Sequence, residues 1–315
     1  MNLSFKVILG LLSIGILSLP IAGFSWMVAQ RPPQSNLKKP LFQGIDYRRE
    51  FRQLPRPVML HIVAIDLTAP GVKALVTPGI VASDNRELHA RTSLEFLQEF
   101  KLQVAVNANF FYPFEEDSPW SYFPHSGDRV NAVGLAISNG SQYSPAESEW
   151  AALCLTANHA QIVANGKCPK NTVQAVAGSA MIVADGKQAV LKLGTADSEG
   201  IYSRTAVALD RQGEKLWLII VDDKQWLYSE GVTLAELAQI AVELGADSAV
   251  NLDGGGSTTL VAETSAGATV LNSPVHTKIP MRSRPVANHL GFYARPIRAA
   301  SIEGDGAHHK PQHNY

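Results

Sequence analysis

The sequence predicts an α+β fold: a single domain around a mixed, mostly antiparallel sheet, with few helices. Three observations carry this. Most apolar runs are short and end in turn dipeptides such as Asn139-Gly140 and Asp185-Gly186, as hairpin strands do. Only two segments open with a helix-capping box, Thr92-Ser93-Leu94-Glu95 and Thr233-Leu234-Ala235-Glu236, in which a threonine hydroxyl and a glutamate satisfy each other's backbone N–H groups. Each then leads into an apolar strand that ends in polar residues, Ala105 to Asn109 and Ala249 to Asp253. Many hairpins and two helix-to-strand units fit one layered domain.

Residues 1–30 read as a signal peptide or signal anchor. No charged residue occurs from Val7 to Ala29, between Lys6 and Arg31. A signal peptide has an apolar centre of roughly 7–15 residues and a spanning helix needs about 20, so both fit. Either exports the chain to the periplasm or extracellular space, and the uncleaved form would hold it to a membrane through residues 7–29. Pro32, Pro33, Pro40, Pro55 and Pro57 lie among basic residues over 31–57, which predicts a linker. Residues 58–297 form the predicted domain. Residues 298–315, polar and carrying His308, His309 and His313, read as a disordered tail.

Within the domain, strands are expected over 58–67 and 72–77 around the turn Ala69-Pro70-Gly71, then over 133–138, 173–184, 205–209 and 216–221. The first helix carries Leu94, Leu97 and Phe100 on one face. The second carries Leu237, Ile240, Ala241 and Leu244 and stops at Gly245, the residue type that ends helices most readily. The two cysteines, Cys154 and Cys168, flank a loop with Asn165-Gly166 near its end. This turn signal allows the flanks to lie side by side, and a disulfide is expected. Zinc is not, because two cysteines at this spacing without a histidine pair make no site.

The net charge is −1, so no basic field attracts nucleic acid. An anionic ligand would have to be met by a few placed arginines. The segment Asn251-Leu252-Asp253-Gly254-Gly255-Gly256-Ser257-Thr258 is the strongest local signal. Three glycines in a row sacrifice packing and are justified where the backbone needs positive φ or must approach a ligand closely. Their free N–H groups can face an anion, and Ser257 and Thr258 add hydroxyls. The block matches neither of the glycine-rich nucleotide motifs nor a Gly-x-Ser-x-Gly elbow. The two polar strand ends match in register, Asn107 with Asn251 and Asn109 with Asp253. Side chains alternate along a strand, so the four groups are expected to face one cleft. His125, His276 and His289 could serve as acid–base groups, but they sit in no metal spacing and are expected to be packed or exposed.

Six blocks occur in order: Asn107-Ala108-Asn109-Phe110-Phe111, Ser203-Arg204-Thr205-Ala206-Val207, Val221-Asp222, Gly231-Val232-Thr233-Leu234-Ala235-Glu236-Leu237, the Asn251–Thr258 segment, and Arg284-Pro285-Val286-Ala287-Asn288. Together they resemble the phosphodiester glycosidase family. The chain departs from the family pattern at Asp223, where a glycine is expected, and at Ser283, where an acidic residue is expected.

The resemblance implies hydrolysis of a sugar-1-phosphodiester at the anomeric carbon. Glycoside cleavage ordinarily uses two carboxylates; Asp253 is the first candidate and Asp222 the second. Arg204 and Arg284 would bind the phosphate through their guanidinium forks. Asn107, Asn109, Asn251 and Asn288 would bind sugar hydroxyls or orient the carboxylates, with Gly254, Gly255, Gly256, Ser257 and Thr258 lining the site. Phe110 and Phe111 could stack on a sugar. No cofactor is required, although substrate phosphate could complete a divalent-cation site near Asp253. The expected partner is a carbohydrate or sugar phosphate. Two rival readings remain: a non-catalytic module binding carbohydrate or envelope polymer, and a metal-dependent phosphodiesterase attacking phosphorus.

Overall fold

The computed structural model describes residues 22–80, 86–189 and 200–297. The signal-peptide or anchor reading of 1–30 falls mostly outside the described residues, and the tail reading of 298–315 wholly so. Among the described residues no helix is long and apolar enough to cross a membrane.

The apolar run at 58–66 becomes the strand Val58–Asp66, buried on both faces for most of its length. It pairs with Ile45–Arg52 on one side and Lys215–Val221 on the other. Arg204–Leu209, Ser248–Asn251, Ala180–Ala184 and Lys187–Gln188 follow in order. Leu37–Phe42 forms the other edge of this eight-stranded sheet. The strand pairings within it are antiparallel.

Residues 31–57 are therefore not a linker throughout, because two of the eight strands come from this stretch. Ile45 and Tyr47 alternate inward into the core. Pro40 sits on the outermost strand beside a register shift, where its missing N–H leaves no ladder bond broken. Of the prolines that suggested a linker, Pro40 lies on the edge strand and Pro55 and Pro57 lie in the turn between Ile45–Arg52 and Val58–Asp66.

The helix Leu234–Glu243 covers one face of the eight-stranded sheet, and its capping box is formed between Thr233 and Glu236. The other face packs against a five-stranded sheet in the order Gly267–Val270, Leu260–Thr264, Val104–Asn107, His289–Tyr293, Lys73–Val76. The helix Ser93–Phe100, capped by Thr92 and Glu95, covers the far side of that sheet. A second five-stranded sheet, built on Gln174–Gly178 and Ala151–Leu155, closes the same core.

The run at 173–184, expected as one strand, is two strands in different sheets. The chain crosses at Ser179, whose N–H donates to Asn251 O (3.0 Å). Gly178 permits this crossing, since a Cβ there would stand 2.2 Å from the same Asn251 oxygen. Cys154 and Cys168 are disulfide-bonded with Cα atoms 5.6 Å apart. Asn165 Oδ1 accepts from Lys167 N (3.1 Å), turning the chain back towards Cys154. In the chain-entropy model a loop of this size contributes on the order of 3 kcal/mol.

Candidate active site

The two polar strand ends meet. Asp253 N donates to Ala108 O (3.0 Å), and Asn107 Nδ2 donates to Asp253 O (2.6 Å). Asn107 Oδ1 in turn accepts from Thr205 Oγ1 (3.0 Å) and Thr259 N (3.2 Å). This one buried amide therefore joins both sheets to both ends of the glycine segment. Gly255 takes φ +58, and the turn runs through a short 3₁₀ segment at Gly255–Ser257. Gly256 brings the backbone against Arg284, for a Cβ there would lie 2.5 Å from Nη2.

Asp253 is buried, and burial pushes its carboxyl up to about 6; the Ser257 hydroxyl, the Arg284 charge and the Gly254 amide act in the opposite direction. Desolvation disfavours the ionised form, so this carboxyl can hold a proton near neutral pH.

Arg284 makes a directed contact from each nitrogen. Nη1 donates to Ser257 Oγ (3.3 Å), Nε to His276 Nδ1 (3.3 Å), and Nη2 to Glu116. Its guanidinium carbon lies 4.4 Å from the Phe114 ring centroid. Burial, with the Arg284 charge second, pushes His276 down to about 4. The ring is therefore neutral, and its Nδ1 can accept from Arg284.

Glu116 arrives on a hairpin of two short strands, Glu115–Glu116 and Tyr122–Phe123. Arg282 fastens that hairpin by donating to Pro119 O (2.9 Å) and Tyr122 OH (2.8 Å). The Tyr122 ring meets His276 edge-on at 4.7 Å. A carboxylate thus occupies the outer side of the arginine whose other side faces Ser257 and Asp253.

A family model for phosphodiester glycosidases matches residues 100–293. The chain belongs to the phosphodiester glycosidase family. The catalytic domain of zebrafish N-acetylglucosamine-1-phosphodiester alpha-N-acetylglucosaminidase, solved auto-inhibited by its pro-peptide, is similar at TM-score 0.57 and 20% identity, covering 86% of this chain and 93% of that one. A hypothetical protein from Synechocystis is similar at TM-score 0.59 and 16% identity over 85% of this chain; the match spans 65% of that protein. A candidate exported protein of Burkholderia pseudomallei gives TM-score 0.56 and 14% identity over 83% and 97% of the two chains. At these identities the likeness is one of fold. No curated protein matches.

On this phosphodiester glycosidase framework, Asp253, Ser257, Arg284 and the glycine backbone come together as expected. Thr258 is turned inward, its hydroxyl 3.4 Å from Thr205 Oγ1. The other predicted groups are differently employed. Asn109 donates to the carbonyls of Val133 (3.0 Å) and Leu135 (3.1 Å) and accepts from Ala177 N (3.1 Å). Asn288 bonds to Asn109 Oδ1 (3.1 Å) and Tyr143 OH (3.2 Å). These two amides tie the strand ends together rather than facing a cleft, because backbone at the sheet junction needs partners. Asn251 donates to Ser179 Oγ (3.0 Å), while its buried oxygen finds no partner. Phe110 packs edge-on against Trp150.

Asp222 is not presented to ligand. Its oxygens take His61 Nε2 (3.1 Å), Asn272 Nδ2 (2.9 Å) and Ser273 N (3.0 Å), all buried. The next residue, Asp223, is also buried: burial raises its carboxyl, opposed chiefly by Ser203, whose hydroxyl lies 2.7 Å from Gly255 O. Arg204 donates to Gly200 O (2.8 Å) and Val232 O (3.3 Å) and stacks on Tyr202. The sequence does not mark Glu116, His276 or Arg282 as site residues. Two-residue strands leave no periodicity to read, and a lone histidine carries no motif. Among the described residues no cluster of three or more His, Cys, Asp or Glu side chains could hold a metal ion.

Proposed function

We propose that this chain hydrolyses a sugar-1-phosphodiester at the anomeric carbon. The observation that carries the reading is the buried Asp253 carboxyl, raised to about 6 and connected through Ser257 to Arg284. Membership of the phosphodiester glycosidase family supports the same reaction.

Arg284 is the phosphate ligand. The incoming diester replaces Glu116 on the guanidinium, trading one anion for another in the same fork. Asp253, in its acid form, gives its proton to the phosphate oxygen as the bond from anomeric carbon to oxygen breaks. Water supplies the new bond to that carbon, and its proton passes to Glu116, released from Arg284. The products are a free sugar and a phosphomonoester. Two carboxyl groups reached through the two ends of one guanidinium meet the usual need for an acid and a base. No step passes through a metal. The disulfide and the charge-free run at 7–29 support an exported protein, because disulfides persist in oxidising compartments.

Incubation with a sugar-1-phosphodiester and with a neutral glycoside of the same sugar tests the reading. Only the diester should be cleaved, and Asp253→Asn should stop turnover while the chain still melts cooperatively. A wild-type chain that binds such diesters without ever cleaving one would make this a binding module instead.

A further inference from the structure

The N-terminal stem is fastened to one loop of the domain. Bonds from Gln30 N to Met27 O (3.1 Å) and Arg31 N to Val28 O (3.2 Å) carry the helical residues 22–29 into this stem. Gln34 Nε2 then donates to the carbonyls of Leu227 (2.8 Å) and Tyr228 (3.2 Å). Tyr228 OH donates to Pro32 O (2.8 Å), and the Arg31 guanidinium sits 5.2 Å from the Tyr228 ring centroid.

The loop has an apolar tip. Trp226 is 80% exposed and Leu227 62%. Gln225 N donates to Ser229 O (3.1 Å) and Ser229 N to Gln225 O (2.8 Å), closing the turn beneath them. Leu227 is held at φ +62, a region leucine seldom adopts. Among the described residues nothing covers this pair, and the turn leaves both side chains exposed. On the adjoining helical residues, Trp26 is 67% exposed and Phe24 is exposed as well.

We infer that Trp226 and Leu227, together with Phe24 and Trp26, form a membrane-docking surface that seats in the interfacial layer of a lipid bilayer. The occupant follows from chain continuity: the charge-free run from Val7 to Ala29 ends where the stem meets this turn. Tryptophan favours the boundary between acyl chains and headgroups. Arg31, Lys38 and Lys39 follow within ten residues of the run, and Lys38 lies opposite Arg48 across the edge pair; such cations suit anionic headgroups. The same turn is tied towards the site, for Ser229 Oγ donates to Asp222 O, and Asn272 Nδ2 donates both to Asp222 Oδ1 (2.9 Å) and to Thr258 O (3.1 Å). The inference does not depend on the catalytic reading, since docking is read without turnover.

The full chain, reconstituted in phosphatidylcholine–phosphatidylglycerol vesicles, tests it. Emission attributable to Trp226, taken as wild type minus Trp226→Phe, should be lost when the lipids carry bromine near the headgroup and should resist aqueous iodide. Leu227→Trp in the Trp226→Phe chain should restore a bromine-quenched signal. A difference spectrum unaffected by brominated lipid but quenched by iodide, with no restoration by Leu227→Trp, overturns the inference. Near-ultraviolet circular dichroism of each variant separates these results from misfolding.

Discussion

Replacing Asp253 by asparagine should stabilise the protein at neutral and alkaline pH while removing its activity. Burial raises this carboxyl from its ordinary 3.8 to about 6 in the folded chain. The folded state therefore holds a proton that the unfolded state has released between those values. The contribution of this carboxyl to stability is accordingly largest below about pH 4, declines as pH rises towards about 6, and is lost above it. At about 1.4 kcal/mol per pH unit the full effect is roughly 3 kcal/mol. An asparagine in its place would carry no such dependence. Urea unfolding of both chains at pH 4.5 and pH 8 reads the difference. Asp253→Asn should be the more stable chain by up to about 3 kcal/mol at pH 8, with most of that margin gone at pH 4.5. The same titration makes kcat/KM of the wild type fall above about pH 6, as the acid form disappears. If Asp253→Asn is no more stable than wild type at pH 8, or the margin does not shrink on acidification, the carboxyl is not the desolvated acid described here.

Arg284→Lys keeps the charge but loses the fork; at about 1.5–3 kcal/mol for a charged hydrogen bond, kcat/KM should fall roughly ten- to a hundredfold, with little change in melting. Glu116→Gln frees Arg284 of its competing anion. Inorganic phosphate should then inhibit several-fold more tightly while kcat drops, and an unchanged inhibition constant would refute the exchange. Asp222→Ala leaves His61, Asn272 and Ser273 without their buried partner, and breaking such a buried pair costs about 3–5 kcal/mol; calorimetry should show a lowered Tm far beyond any selective loss of kcat. Cys154→Ser with Cys168→Ser should lower stability by about 3 kcal/mol and leave activity on soluble substrate intact at moderate temperature.

Much of the fold was legible because local signals and global structure agreed. Both capping boxes formed as written, and each ended in the strand expected of it. Asp253 and its glycines could be found because three consecutive glycines have few structural uses. What escaped depended on contacts distant in sequence. Glu116 reaches Arg284 across 168 positions, and nothing near Glu116 announces this. Asn109 looked like a ligand because polar groups ending apolar strands often are, and Asn288 because it closes a block resembling the family; here the junction of sheets consumes their hydrogen bonds. The edge strand Leu37–Phe42 and its neighbour Ile45–Arg52 hid behind prolines and basic residues, the composition that linkers and sheet edges share.

The claim that Asp253 and Arg284 direct cleavage to the sugar side of the diester is tested most directly by turnover in oxygen-18 water. The label should appear on the anomeric hydroxyl of the released sugar, with none in the phosphomonoester. Label in the phosphate would mean attack at phosphorus and would contradict the account.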